Sequence, residues 1–460
     1  MTFDQLRSQH PVFEYVDYHS EVVGHQLELS FHFLLEPGIM FHPHISIPDI
    51  NPARWHSLPE TLKNNLIFHV GLIEMVSYWK ATCSPIIRLR AGRLSSEQEA
   101  WWFDLLEHGL GEFWYRNQIT FQRIQDIVQF EEVSPRKILP VSPITLASQT
   151  AVPLGGGKDS IVSLELLRHT ETTLWLWAIN PIPATLRIVE KNTQLPFIAV
   201  QRTLDPKLLE LNQRGYLNGH TPFSALLAFV SVVLSVIFDS DQTAVSNEQS
   251  ANEENLIWNG KPINHQYSKS YAFETAFREY SRQFLTPSTS YYSLLRPLNE
   301  LQIAQKLSAY SEYFSDFRSC NVGQKSDSWC HHCAKCLFAF TILFPFIEAH
   351  ELSHQVFDHN LFDDVELLPL AQSLIQPDLT KPWDCVGTKA ESQAAFALCI
   401  KLYKDKQLTL PIVLAQLEPH LQPLEKLVAN ANALLHEFVD EQHLPRAVAD
   451  LIKLRNYDNH

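Results

Sequence analysis

A chain of 460 residues has room for two or three domains, and 45% hydrophobic and 19% charged residues, with 27 Phe and 10 Trp, make up a folded protein rather than a disordered one. The formal net charge of −15 argues against a general nucleic-acid binder, which needs a cationic surface to displace phosphate counterions, and leaves room only for a local basic pocket. Seven cysteines, four of them between Cys320 and Cys336, do not form the even staples of a secreted disulfide domain and fit a reducing cytosol.

Met1 to Gln9 lacks the apolar core of a signal peptide, and Asp4 stands where such a peptide is basic, so a cytoplasmic protein is expected. Gln26 to Ile47 alternates loosely and favours strands, Pro59 to Lys80 has apolar residues at helical spacing, and residues 1–145 are predicted to form an α+β domain. Ser95 to Arg116 reads as one further helix capped by Ser95 or Ser96, with Trp101, Trp102, Leu105, Leu106 and Phe113 as apolar surface and His108, Glu112, Arg116 and Asn117 facing solvent. The Pro-, Ser- and Thr-rich stretch Pro140 to Thr150 marks a linker. A strand ending at Leu154, a glycine turn, a helix from about Asp159 to His169 and an apolar strand at Leu174 to Ile179 then form a βαβ unit. The runs Phe197 to Val200 and Thr243 to Ser246 extend it to a parallel sheet over residues 146–345, which makes the fold class α/β. Phe223 to Phe238 is short for the ~20 residues of a membrane span and is expected to be a buried helix, so no membrane is implied. Residues 346–460 are Leu-rich and helical, broken at Pro382, Pro411, Pro419 and Pro423.

Glycine is scarce, at 14 residues, so three in a row at Gly155, Gly156 and Gly157 need a local reason. Between a strand and a helix, residues without a Cβ let backbone approach an anion, and the free N–H groups of the first helical turn make a phosphate cradle. Lys158 adds mobile positive charge, Ser160 a hydroxyl, and Asp159 a carboxylate able to hold Mg²⁺ beside a pyrophosphate. Neither G-x-x-x-x-G-K-[ST] nor G-x-G-x-x-G is present. The loop Gly155 to Ser160 instead resembles the SGGxDS loop of PP-loop (N-type) ATP pyrophosphatases, with Gly155 in place of the first Ser. That resemblance implies a HUP-like domain with helices on both faces of its sheet, which splits ATP between the α- and β-phosphates and leaves an adenylated substrate. A plain strand-to-helix turn is the alternative.

Cys320, Cys330, Cys333 and Cys336 form C-x9-C-x2-C-x2-C, a spacing that lets four thiolates converge on one tetrahedral ion. Four sulfurs imply a closed, structural zinc site, with His331 or His332 as substitute ligands and an iron–sulfur centre as alternatives. A four-cysteine cluster late in a PP-loop domain is similar to that of 7-cyano-7-deazaguanine synthase, and an amide or nitrile synthetase of that superfamily is the second reading.

A longer set of segments matches, in order, another family: Ser77 to Ala81, Gly109 to Asn117, the glycine loop, Leu217 to Pro222, Ser246 to Glu248, Asn264 to Ser270, Leu294 to Pro297, the cysteines, and Lys381 to Gly387. In these the chain resembles the MurL family of ATP-dependent epimerases of peptidoglycan synthesis. The resemblance implies UDP-N-acetylmuramoyl-L-alanyl-L-glutamate as substrate, ATP and Mg²⁺, an acyl-adenylate, inversion of the terminal glutamate, and release of AMP and diphosphate. Binding of the muramoyl portion falls to residues 1–145.

Ser246, Asn247 and Glu248 follow an apolar strand, at the sheet end where ligands bind. Ser246 and Asn247 are expected at ATP, and Glu248 at Mg²⁺ or as a base. His265 and Lys269, spaced i, i+4, share a face if helical, His265 toward substrate and Lys269 toward the α-phosphate. Cys385 is a candidate proton carrier and His220 a candidate base, while Arg296 is expected to pair with a substrate carboxylate or phosphate. Each has a structural alternative: an inert cysteine, a turn histidine, an internal salt bridge.

Overall fold

The computed structural model describes residues 1–457. Its strands are β1 (Val12–Val23), β2 (Gln26–Leu35), β3 (Ile39–Phe41), β4 (His44–Ile47), β5 (Ile86–Leu89), β6 (Gln129–Glu132), β7 (Gln149–Pro153), β8 (Thr173–Ile179), β9 (Phe197–Thr203), β10 (Gln242–Val245), the small hairpin β11 (Leu256–Trp258) and β12 (Lys261–Ile263), and β13 (Ser290–Ser293). All but the hairpin join one eleven-stranded sheet ordered β13-β10-β7-β8-β9-β4-β2-β1-β5-β6, with β3 paired to β2. From β13 to β9 every pairing is parallel. β9 then meets β4 antiparallel, with Ile45 opposite Arg202, so the N-terminal strands continue the same sheet. Residues 133–148, around the expected linker, carry neither helix nor strand.

The alternation of β2, buried at every second residue, is the period that marks a half-buried strand. β1 escapes sequence reading because Glu14, Asp17, His19 and Glu21 interrupt its apolar pattern, yet it pairs with β2 from Phe13–Leu35 to Val23–Gln26. The parallel strands place side chains on two cores. Ala151, Trp175, Trp177, Val200 and Val245 face a core shared with the N-terminal region and the buried helix Phe223–Ile237. Val152, Leu174, Leu176, Ala244 and Tyr292 face a second core built from the helices Lys158–Leu167, Ala334–Leu343 and Lys389–Asp405. Pro411 and Pro423 stand immediately before the helices Ile412–Leu417 and Leu424–Leu434, where a missing N–H costs no hydrogen bond. Among the described residues no helix is long and apolar enough to cross a membrane.

One expectation is corrected here. Ser95 to Arg116 is two helices, Ser96–Gly109 and Gly111–Arg116, divided at Leu110. The flanking glycines let neighbours approach: a Cβ on Gly109 would meet Pro222 at 3.2 Å, and one on Gly111 would meet Ile263 at 3.4 Å. The break turns Glu112 inward, 6% exposed, rather than toward solvent.

Candidate functional site

β7 ends at Pro153, and the chain turns through Gly155 to Gly157 into the helix Lys158–Leu167. Gly156 has φ +79°, and a Cβ there would meet the Thr185 amide at 3.0 Å, so glycine is required twice over. A Cβ on Gly155 would meet nothing within 4 Å: this residue faces open space. Gly157 caps the helix with no side chain of its own, and the Lys158 N–H makes only a long 3.5 Å contact to Ser319 Oγ. The turn opens on a cavity of about 240 Å³ lined by Gly155, Gly157, Asp159, Ser160, Ser246, Asn247, Lys269, Arg318, Gln324 and Lys335, among others. Ser246 holds a buried hydroxyl without a hydrogen-bond partner, and Asn247 is fixed by its 3.0 Å bond to Ser293. An open glycine, a helix start without a capping side chain of its own, an orphaned hydroxyl and three cationic side chains suit a polyphosphate, and Asp159 adds a carboxylate to the same cavity.

Lys158 does not act as a mobile charge over this cavity. It is 4% exposed and its ammonium is ion-paired with Glu300 and Asp159. Burial by itself would lower its pKa, but the two carboxylates raise it. Glu300 in turn is pushed up by burial and by its neighbours Asp159, Glu248 and Glu391 against the pull of Lys158. Glu248 is 3% exposed, with Oε1 3.5 Å from Ser250 Oγ. Arg296, expected at the substrate, is fully buried and committed internally: it pairs with Glu274 at 3.1 Å and donates to the main-chain carbonyls of Glu248 and Lys269. It therefore positions those two residues instead of meeting a ligand.

Beside the cavity lies a second group of chemistry-bearing side chains. His265 and Lys269 are not on an α-helix; Lys269 ends a 3₁₀ turn, Tyr267–Lys269, and His265 precedes it, yet both act on Cys385. Lys269 Nζ is 3.4 Å from Cys385 Sγ, and the charge of His265 also acts on that sulfur. Glu112 accepts the Nδ1–H of His265, pairs with Arg116, and stands 3.6 Å from His220, whose ring lies 4.5 Å from that of His265. Burial would raise the half-buried Cys385 thiol, but Lys269 and His265 bring it down to about 6. Burial would likewise lower His265, and the Cys385 sulfur and Glu112 carry it up to about 9. His220 is pushed down to about 3 by burial and by the charge of His265. Glu112, His220 and His265 are a donor set that metals use. The Glu112–His265 contact, however, is a hydrogen bond, shorter than the ~3.3 Å between two ligands of one tetrahedral ion.

The four cluster cysteines meet in space: Sγ separations are 4.0 Å for Cys320–Cys333, 3.7 Å for Cys330–Cys336 and 3.5 Å for Cys333–Cys336. A tetrahedron of Zn–S bonds of ~2.3 Å requires about 3.8 Å, so the sulfurs fit a zinc ion. Cys320 further accepts from the Gly323 amide at 3.1 Å, which eases the charge of a thiolate. The cluster also explains what sequence reading missed. Arg318 and Lys335, two of the cavity's cations, are carried by this cysteine segment. Lys335 lies within C-x2-C, a position whose signal was masked by the ligand pattern.

Residues 4–294 match the MurL N-terminal domain and residues 315–429 the MurL C-terminal domain. A protein of Xanthomonas oryzae pv. oryzae named UDP-N-acetyl-alpha-D-muramoyl-L-alanyl-L-glutamate epimerase is 35% identical over 71% of this chain and 72% of its own. Proteins of the same name from Salinispora tropica and a Micromonospora species are 36% identical over 72% of each chain and 33% identical over 76% and 77%. With matches to both domains of the family and over most of its length, this chain belongs to the MurL family.

Proposed function

We propose that this chain inverts the Cα of the terminal glutamate of UDP-N-acetylmuramoyl-L-alanyl-L-glutamate in peptidoglycan synthesis, with ATP as co-substrate and an acyl-adenylate as intermediate. The names of its relatives support the substrate and the inversion. The observation that carries the use of ATP is the single cavity onto which the glycine loop, the unpartnered Ser246 hydroxyl, Lys269, Arg318 and Lys335 open. The chemistry needs such a device. A free carboxylate opposes loss of its neighbouring Cα proton, since the carbanion forms beside existing charge, and a positioned base contributes only ~10²–10⁴-fold. Adenylation removes that charge and lets the carbanion spread onto a carbonyl.

In this reading the main-chain amides of the Gly155–Ser160 turn and Ser246 hold the triphosphate, with Asn247 beside them. Asp159, with Glu248 nearby, holds Mg²⁺, which neutralises phosphate charge when bound. Lys269 offsets charge at the α-phosphate as the substrate carboxylate attacks. The four cysteines hold zinc as a structural ion. The PP-loop unit spans residues 146–345 and the helical unit 346–460. Residues 1–145 receive the muramoyl portion in the cytoplasm.

Purified protein incubated with the muramoyl dipeptide, ATP and Mg²⁺ should yield D-glutamate after hydrolysis, with AMP and diphosphate in step with turnover. Inversion without diphosphate, or diphosphate only when a nitrogen donor is supplied, would remove this reading.

A further inference from the structure

The proposed chemistry leaves the group that takes the Cα proton unassigned. In an acyl-adenylate the reacting carbon is one carboxyl group away from the α-phosphorus, so its base must stand at the rim of the phosphate cavity. Lys269 lines that cavity, and its Nζ lies 3.4 Å from the Cys385 sulfur. Cys385 is half-buried in the segment Lys381 to Gly387, which is pinned from several sides. Asn255 donates to the Pro382 carbonyl at 2.9 Å, Asn321 to Asp384 at 2.9 Å, and Trp383 packs 5.2 Å from Tyr115. The sulfur is also under the influence of His265, whose Nδ1–H is taken by Glu112. A sulfur in contact with an ammonium and under the influence of an imidazole oriented by a carboxylate has the arrangement of an activated thiol.

We propose that Cys385 removes the Cα proton of the activated glutamate, held as a thiolate between Lys269 and His265, and that Glu112 is the positioning residue that fixes and charges His265. The assignment rests on the adenylating function proposed above. The Cα–H bond breaks, its proton passes to Cys385 Sγ, and its electron pair moves onto the carbonyl oxygen of the adenylate. Water then donates a proton to the opposite face of the enolate, which closes the new Cα–H bond and leaves hydroxide. Hydroxide takes the thiol proton and restores the thiolate. The depressed pKa of Cys385, about 6, and the raised pKa of His265, about 9, agree with a thiolate–imidazolium pair at neutral pH.

The test follows diphosphate release and deuterium uptake at Cα together, in heavy water with the muramoyl dipeptide, ATP and Mg²⁺. Cys385→Ala should go on releasing diphosphate while deuterium uptake and inversion fall at least about 100-fold, the lower bound for a lost general base. Uptake within tenfold of the parent overturns the assignment of Cys385. Absence of diphosphate from the parent protein itself removes the adenylating function instead. Should the variant lose both activities, alkylation of Cys385 by iodoacetamide, read by mass spectrometry against pH, decides. The parent should react with a midpoint near 6, and Glu112→Gln and His265→Gln should shift it toward the ~8.5 of an ordinary thiol. A parent midpoint near ~8.5, or one that neither substitution moves, overturns the proposal.

Discussion

Lys158 shows how a residue type and its position mislead when its partner is distant in sequence. Beside the glycine turn a lysine reads as a phosphate ligand, but Glu300, 142 residues on, pairs with it in the interior. Removing one member of a buried pair leaves the other charge uncompensated, so Lys158→Met should lower unfolding free energy in urea by ~3–5 kcal/mol. Ser246 presents the opposite case, a buried hydroxyl that awaits a partner. Ser246→Ala should weaken ATP binding by calorimetry about two- to tenfold, the equivalent of one hydrogen bond of ~0.5–1.5 kcal/mol, with urea unfolding nearly unchanged.

At the scale of elements, the cysteine segment is a scaffold for the cavity wall. It presents Arg318 and Lys335 to the cavity, and the Arg318 amide donates to the Gly156 carbonyl at 2.8 Å, so the metal-type cluster and the glycine turn are directly joined. The protein should therefore contain zinc at one equivalent per chain. Cys333→Ser, or prolonged chelation, should lower the melting temperature by several degrees and weaken ATP binding more than tenfold, measured by metal analysis and calorimetry. Retained ATP affinity after complete zinc loss would separate the two features. The glycine turn and the C-x2-C-x2-C spacing were both legible because each is a local pattern with a local physical cause. The break at Leu110 was not, because its cause is the approach of Pro222 and Ile263 to Gly109 and Gly111.

For the whole molecule, the pair of sites is an assembly of segments far apart in the chain: Glu112 from the N-terminal region, His265 and Lys269 from the centre, Cys385 from near the C-terminal helices. Its charge state sets a pH window. Cys385 is ionised above about 6 and loses its charge as pH falls through that value. His265 is protonated below about 9 and loses its charge as pH rises through it. Inversion should accordingly have a plateau between about 6 and 9 and fall on both sides, while Glu112→Gln should bring down the upper limit.

The sequence by itself determined the parallel βαβ centre, the buried helix Phe223–Ile237, the strand-rich start and the phosphate-type turn, since each depends on periodicity or on residues adjacent in the chain. It also carried the ordered motifs of the MurL family. Only the tertiary structure decided that β4 pairs with β9 to make one sheet, that Arg296 is an internal brace, and that Glu112 turns inward to His265. Those outcomes depend on which distant charge or strand edge is brought near, and burial makes such encounters decisive: an interior carboxylate or cation must find a partner, and the fold alone supplies it.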